Sequence, residues 1–153
     1  MGDDQITHVN FPDTLPIIEY NHHLRSRYGE TDRMGYVYYA RYLEYFEVSR
    51  TEMIRAQGLS YREMEDSGVM LPVIHSQIEY KKPIIYDEEM QIKVMVFEKP
   101  LYRLETFYEV KTEGSEEVHA LGEVTLCFVD KEKRKPCLAP KAFIDGMLNN
   151  ASK

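Results

Sequence analysis

A chain of 153 residues, 43% apolar and 29% charged, has the size and make-up of one globular domain with a substantial core. Its formal net charge of −7 argues against general nucleic-acid binding, and no apolar run is long enough to span a membrane. There is no charged-then-apolar leader, and Cys127 and Cys137 do not form a disulfide framework, so the expected setting is the reducing cytoplasm with both thiols free.

Residues 1–20 are polar, carry Pro12 and Pro16, and read as an N-terminal arm. A domain over 21–148 and a tail over 149–153 follow. Asn21 to Gly29 reads as a first strand with Leu24 and Tyr28 on one face. Glu30 to Gly35 is a turn-rich loop. From Tyr39 to Gln57, Tyr42, Leu43, Phe46, Met53 and Ile54 recur at helical spacing opposite Arg41, Glu44, Glu52 and Arg55, and Gly58 is a stop signal. Ser60 followed by Glu63 is a capping-box pattern for a short second helix ending near Gly68.

The rest reads as strand. Val69 to Lys82 alternates cleanly from Ile74, with a phase slip near Pro72 that suggests a bend or bulge. Met90 to Phe97, Arg103 to Val110 and Val118 to Val129 alternate in the same way. The chain then turns basic from Asp130 and closes on an apolar segment, Phe143 to Leu148. Long strands joined by short connections predict an antiparallel meander. A single amphipathic helix needs one sheet face to cover it, so the fold class is α+β, with a long central helix wrapped by a curved antiparallel sheet of about five strands. Met95, Phe97, Phe107 and Leu121 fall on the other sheet face and predict self-association.

The chemistry concentrates in the stretch from Tyr28 to Tyr39. Asp32 sits three residues before Gly35, and the loop leads straight into the long helix. A carboxylate beside a helix N-terminus, where unpaired amides can hold a second developing negative charge, is a minimal apparatus for hydrolysing an activated acyl group. The plainer reading of Asp32 is a loop or N-cap carboxylate. Tyr39 and its neighbours read as packing residues by side chain. Glu47 and Arg50 read as a local i, i+3 pair. His22, His23, His75 and His119 lack metal-ligand spacing, so no metal is expected.

Arg27-Tyr28-x-Glu30-Thr31-Asp32-x-x-Gly35-x-Val37-Tyr38-Tyr39-x-x-Tyr42, followed by Glu47-x-x-Arg50, resembles the motif of hotdog-fold acyl-CoA thioesterases. The likeness is to the 4-hydroxybenzoyl-CoA thioesterase type and its Tol-Pal-cluster branch, and it covers roughly Asn21 to Leu148. The resemblance implies a hotdog fold and an acyl-CoA substrate, with no cofactor because CoA is part of that substrate. It implies Asp32 as nucleophile or general base, the Tyr39 backbone amide facing the thioester carbonyl, Gly35 turning the loop, and Glu30 tuning Asp32 or orienting water. It also implies a homo-oligomer, a dimer or a dimer of dimers, with the active site at a subunit interface. Lys81, Lys82, Arg103, Lys131, Lys133, Arg134 and Lys135 are the candidate cations for the CoA phosphates, from this subunit or its neighbour. Two departures stand out: Arg33 and Met34 occupy positions where small residues are usual, and Tyr39 stands where the Tol-Pal branch has histidine. An acyl-carrier-protein thioesterase and a non-catalytic acyl-CoA-binding scaffold are the competing functions.

Overall fold

The computed structural model describes residues 8–149; the outer parts of the expected arm and tail, 1–7 and 150–153, lie outside the described residues. Five antiparallel strands form one sheet: β1 (Ile18–Arg25), β3 (Val73–Tyr80), β4 (Glu89–Val96), β5 (Arg103–Thr112) and β6 (Ala120–Cys127). Helix α1 (Arg41–Ala56) lies on one face of the sheet, α2 (Tyr61–Asp66) follows it, and α3 (Lys141–Asn149) closes the described chain. Two short strands, β2 (Val69–Met70) and β7 (Val129–Asp130), pair with each other.

The core follows the period-two pattern of the strands. Met90, Ile92, Val94 and Val96 on β4 all turn inward, as do Leu104, Tyr108 and Val110 on β5. Tyr42, Phe46, Met53 and Ile54 on α1 meet them. Burying such side chains contributes about 1.5–3 kcal/mol each before the entropy of ordering is subtracted. Phe46 stacks on Tyr108 with ring centroids 4.2 Å apart. That approach depends on Gly122 of β6, because a Cβ there would collide with the Phe46 ring.

The sheet order is β1-β4-β5-β6-β3, so only β4, β5 and β6 form the expected meander. β3 precedes β4 in the chain but pairs with β6 at the far edge. The connection over residues 81–88 crosses the fold between them. The phase slip near Pro72 is where the expected strand splits into β2 and β3, with a register shift between Val73 and His75.

The first strand begins at Ile18 and ends at Arg25, earlier at both ends than its expected span. Tyr28 is not on its face; Tyr28–Glu30 form a 3-10 turn and Tyr28 is exposed against Tyr86. The arm, too, is engaged from residue 8. Val9 is buried and its amide donates to Glu79 Oε2 at 3.2 Å, while Phe11 contacts Phe97 and Phe107. The arm therefore covers part of the apolar outer face that had suggested self-association.

Arg50 corrects another expectation. Arg50 is 6% exposed, and its guanidinium donates to the Tyr61 and Tyr108 hydroxyls, at 2.8 and 3.2 Å, with no ion pair to Glu47 among the described residues. Burial alone would lower its pKa, and the two phenols more than offset this. Polar bonds to both hydroxyls make the buried charge tolerable.

Candidate active site

The loop between β1 and α1 is a tight hairpin. Thr31 bridges Val37, the Asp32 amide donates to the Tyr36 carbonyl at 2.7 Å, and the Gly35 amide donates back to the Asp32 carbonyl at 3.0 Å. Gly35 sits at φ +79°, the left-handed region that L side chains rarely adopt. Asp32 Oδ1 accepts from the Met34 amide at 2.8 Å and the Tyr36 amide at 3.1 Å. These are turn-stabilising bonds of the kind aspartate makes to its own backbone. They fix the carboxylate's direction and leave Oδ2 with no hydrogen bond among the described residues.

The hairpin is fastened to the 81–88 connection. The Val37 amide donates to the Ile84 carbonyl at 2.7 Å, and Tyr36 bridges Ile85. At its base, buried Ser26 donates from Oγ to the Ile85 carbonyl at 2.8 Å and accepts from the Glu88 amide at 3.1 Å. Nothing in the local sequence pattern singled out Ser26.

Helix α1 starts at Arg41, two residues later than the sequence pattern suggested. Tyr38 to Arg41 form a turn closed by the Arg41 amide donating to the Tyr38 carbonyl at 2.9 Å. Ala40 occupies the N-cap and offers no side-chain cap. Among the described residues the Tyr39 amide makes no hydrogen bond, so it remains an available donor just ahead of a helix whose dipole favours negative charge.

Asp32 and Tyr39 line the same cleft, of about 360 Å³. Met34, Tyr36, Tyr42 and Tyr80 supply most of its apolar wall, and Lys81, Lys82 and Pro83 its rim. Burial, then the neighbouring Tyr80 and Glu88, pushes the Tyr42 phenol up to about 12, so it is neutral at ordinary pH. The arrangement sets a fixed carboxylate and a free amide around an apolar, aromatic space, which suits a polar reaction on an acyl group.

The thioesterase-like superfamily matches residues 26–147, the stretch that holds this hairpin, helix and sheet. The chain belongs to that superfamily. It has the hotdog fold and is a thioester hydrolase. One relative is a Bacillus subtilis protein provisionally named as the acyl-CoA thioesterase YneP, 38% identical over 122 residues, which are 80% of this chain and 88% of that one. The acyl-CoA thioester hydrolase YbgC of Escherichia coli O6:H1 is 28% identical over 121 residues, covering 79% of this chain and 90% of YbgC. Among solved structures, a DHNA-CoA thioesterase from Staphylococcus aureus superposes with a TM-score of 0.77 at 31% identity, covering 88% of this chain and 95% of the other.

In this superfamily member the remaining candidate residues divide into groups. Glu30 does not line the Asp32 cleft. Its carboxylate turns back to the Arg27 amide at 2.8 Å and the Arg27 guanidinium at 3.4 Å. Burial raises its pKa, but the Arg27 amide, the Tyr45 hydroxyl and the Arg27 guanidinium together hold it below the usual carboxylate value. The Tyr45 hydroxyl is itself buried without a well-formed hydrogen bond. Lys81 and Lys82 reach the cleft, paired with Glu79 at 2.9 Å and Glu117 at 2.6 Å. Arg103 pairs in register with Cys127, and Lys131, Lys133, Arg134 and Lys135 lie exposed beyond β7. These five are at the Val73 end of β3, whereas the cleft is at the Tyr80 end, one strand length or roughly 23 Å away.

His23, Glu89 and Glu113 place one ligand atom each within 4.8 Å of the others, although their sequence spacing gave no hint of it. Arg25 already pairs with Glu89 at 3.3 Å there. The cluster lies on the β1–β4–β5 edge of the sheet, away from the residues that line the cleft.

Proposed function

We propose that this chain hydrolyses acyl-CoA thioesters to a free carboxylic acid and CoA, with Asp32 as the reacting carboxylate. The observation that carries this is the shared cleft, where Asp32 is anchored through one oxygen only and the Tyr39 amide is unpaired. The thioester carbonyl accepts from the Tyr39 amide. One such donor stabilises the transition state by about 2.7–4 kcal/mol in a comparable site. Asp32 acts through Oδ2, either by drawing a proton from a water that attacks the carbonyl carbon, or by attacking that carbon itself to give a mixed anhydride that water then hydrolyses to the free acid and Asp32. The thiolate of CoA leaves and takes up a proton. Gly35 allows the turn that aims Asp32, and Glu30 anchors the near limb of the hairpin.

The CoA phosphates need cations, and Lys81 and Lys82 stand at the rim. A two-fold copy supplies the others. β3 is an edge strand with Val73 and Ile74 exposed, and antiparallel pairing of two β3 strands would bring Arg103 and the Lys131, Lys133, Arg134 and Lys135 cluster of one subunit to the cleft of the other. The working unit is thus a homodimer, or a dimer of such dimers.

The test is thiol release over acyl-CoA substrates from short aliphatic to aromatic, with wild type beside Asp32→Asn. Asparagine keeps an oxygen to accept from the Met34 and Tyr36 amides, so the hairpin is retained while the charge is lost. Turnover should fall by about 10²–10⁴-fold at an unchanged melting temperature. Equal turnover in the two proteins would remove Asp32 from the mechanism, and turnover confined to acyl-carrier-protein thioesters would change the substrate.

A further inference from the structure

Tyr80 ends β3, at the edge of the sheet farthest from β1, yet its side chain reaches the start of α1. Its hydroxyl donates to the Tyr39 carbonyl at 2.9 Å. Its ring meets Tyr42 edge-on at 5.2 Å and Tyr39 at 6.5 Å. The Tyr38 carbonyl is held as well, by the Arg41 amide at 2.9 Å. Both peptide planes flanking Tyr39 are therefore pinned through their carbonyls. Because a peptide unit is rigid and planar, fixing its oxygen also fixes its N–H. The N–H groups of those two planes belong to Tyr39 and Ala40, and neither makes a backbone hydrogen bond among the described residues.

We propose that Tyr80 is a positioning residue, whose hydroxyl locks the turn at the start of α1 so that its free amides present a fixed pair of donors to the thioester carbonyl. This rests on the reading of the cleft as the thioesterase site. Ala40 carries only a methyl group, so no side-chain cap helps to hold this end of the helix. A donor that must reorient during reaction loses much of its value, whereas one held in place beforehand keeps it. Burial and the neighbouring Tyr39 raise the Tyr80 pKa above the ordinary phenol value, so the hydroxyl stays protonated and able to donate. The Tyr39 carbonyl has no side-chain partner besides Tyr80 among the described residues, so no second bond replaces this one. The same hydroxyl joins the edge strand to the catalytic turn, so any partner that pairs with β3 also bears on the geometry of the donors.

Tyr80→Phe separates the hydroxyl from the ring. It retains the edge-on contacts with Tyr39 and Tyr42 and removes only the bond to the carbonyl. The expected result is a kcat lowered about three- to tenfold with KM and melting temperature unchanged. Hydrogen exchange at the Arg41 amide, whose bond to the Tyr38 carbonyl closes the turn, followed without substrate, should accelerate by a similar factor. Tyr80→Leu removes ring and hydroxyl together and should lower kcat and raise KM. Unchanged kcat and unchanged exchange in Tyr80→Phe would overturn the positioning role, as would a loss expressed only in KM. The functional reading has its own readout in Asp32→Asn, and amide exchange in Tyr80→Phe does not depend on turnover, so the two ideas fail separately.

Discussion

Glu30 and Asp32 carry the same charge two residues apart on one loop, and the fold gives them opposite environments. Glu30 is 7% exposed, and both of its oxygens are engaged by Arg27. Asp32 is half-buried and engaged through one oxygen, by amides of its own turn. Glu30 also ties the hairpin together along the backbone, since its carbonyl accepts from the Tyr38 amide at 2.8 Å. A carboxylate saturated with hydrogen bonds holds structure, whereas one aimed into a cleft with an oxygen to spare is available for chemistry. Residue type and spacing cannot separate these two cases; the direction in which each side chain leaves the hairpin does.

The comparison is most exposed at Asp32. Asp32→Asn should cost the two to four orders of magnitude in turnover given above and leave stability alone, while Glu30→Gln should retain most activity. The reverse pattern would exchange their roles. Next in size is Glu30→Ala, which leaves the Arg27 amide without its acceptor. It should destabilise the fold by about 1–3 kcal/mol in denaturant titrations and lower turnover less than Asp32→Asn does. Gly35→Ala follows. A methyl group at positive φ costs about 1–2 kcal/mol, and the strain falls on the turn that aims Asp32. Gly35→Asn should recover part of that loss, because asparagine tolerates the left-handed region. Restoration by asparagine and not alanine is the pattern to look for.

The smallest effect is in pH. Glu30 has its pKa lowered on folding, so its stabilising contribution is complete above the unfolded carboxylate value, about 4.3. It is lost as pH falls through the lower folded value. Wild type should therefore lose stability across that acid window more steeply than Glu30→Gln. Parallel melting curves for the two proteins from pH 5 downward would mean that Glu30 is not held ionised by its surroundings.

Much of the fold was legible in the chain. Alternation located β4, β5 and β6 to within about two residues, and the Ser60 cap is present as expected, its hydroxyl accepting from the Glu63 amide at 3.0 Å. Those signals are local, carried by neighbours in the chain. Helix α1 starts two residues later than its period predicts, because Tyr39 fits the helical period although its backbone belongs to the preceding turn. The span of β1 is not encoded locally, because the residues that pair it, Glu89 to Val96, are far away in sequence. Helical spacing pairs Arg50 with Glu47, while its real partners, Tyr61 and Tyr108, come from other elements.

The sequence by itself determined the helix stripe, the alternating strands, the Asp32-to-Gly35 turn and the family, since each depends on residue types at short separations. Only the tertiary structure decided which edge β3 joins, and with it that Tyr80 reaches the Tyr39 carbonyl while Arg103 and Lys131 lie at the far end of the sheet. It also decided that Gly122 makes room for Phe46 and that Glu30 faces away from Asp32. The physical reason is common to all of these: hydrogen bonds and contacts between distant elements form only when the sheet closes over the helix, and nothing at short range encodes which groups will then meet.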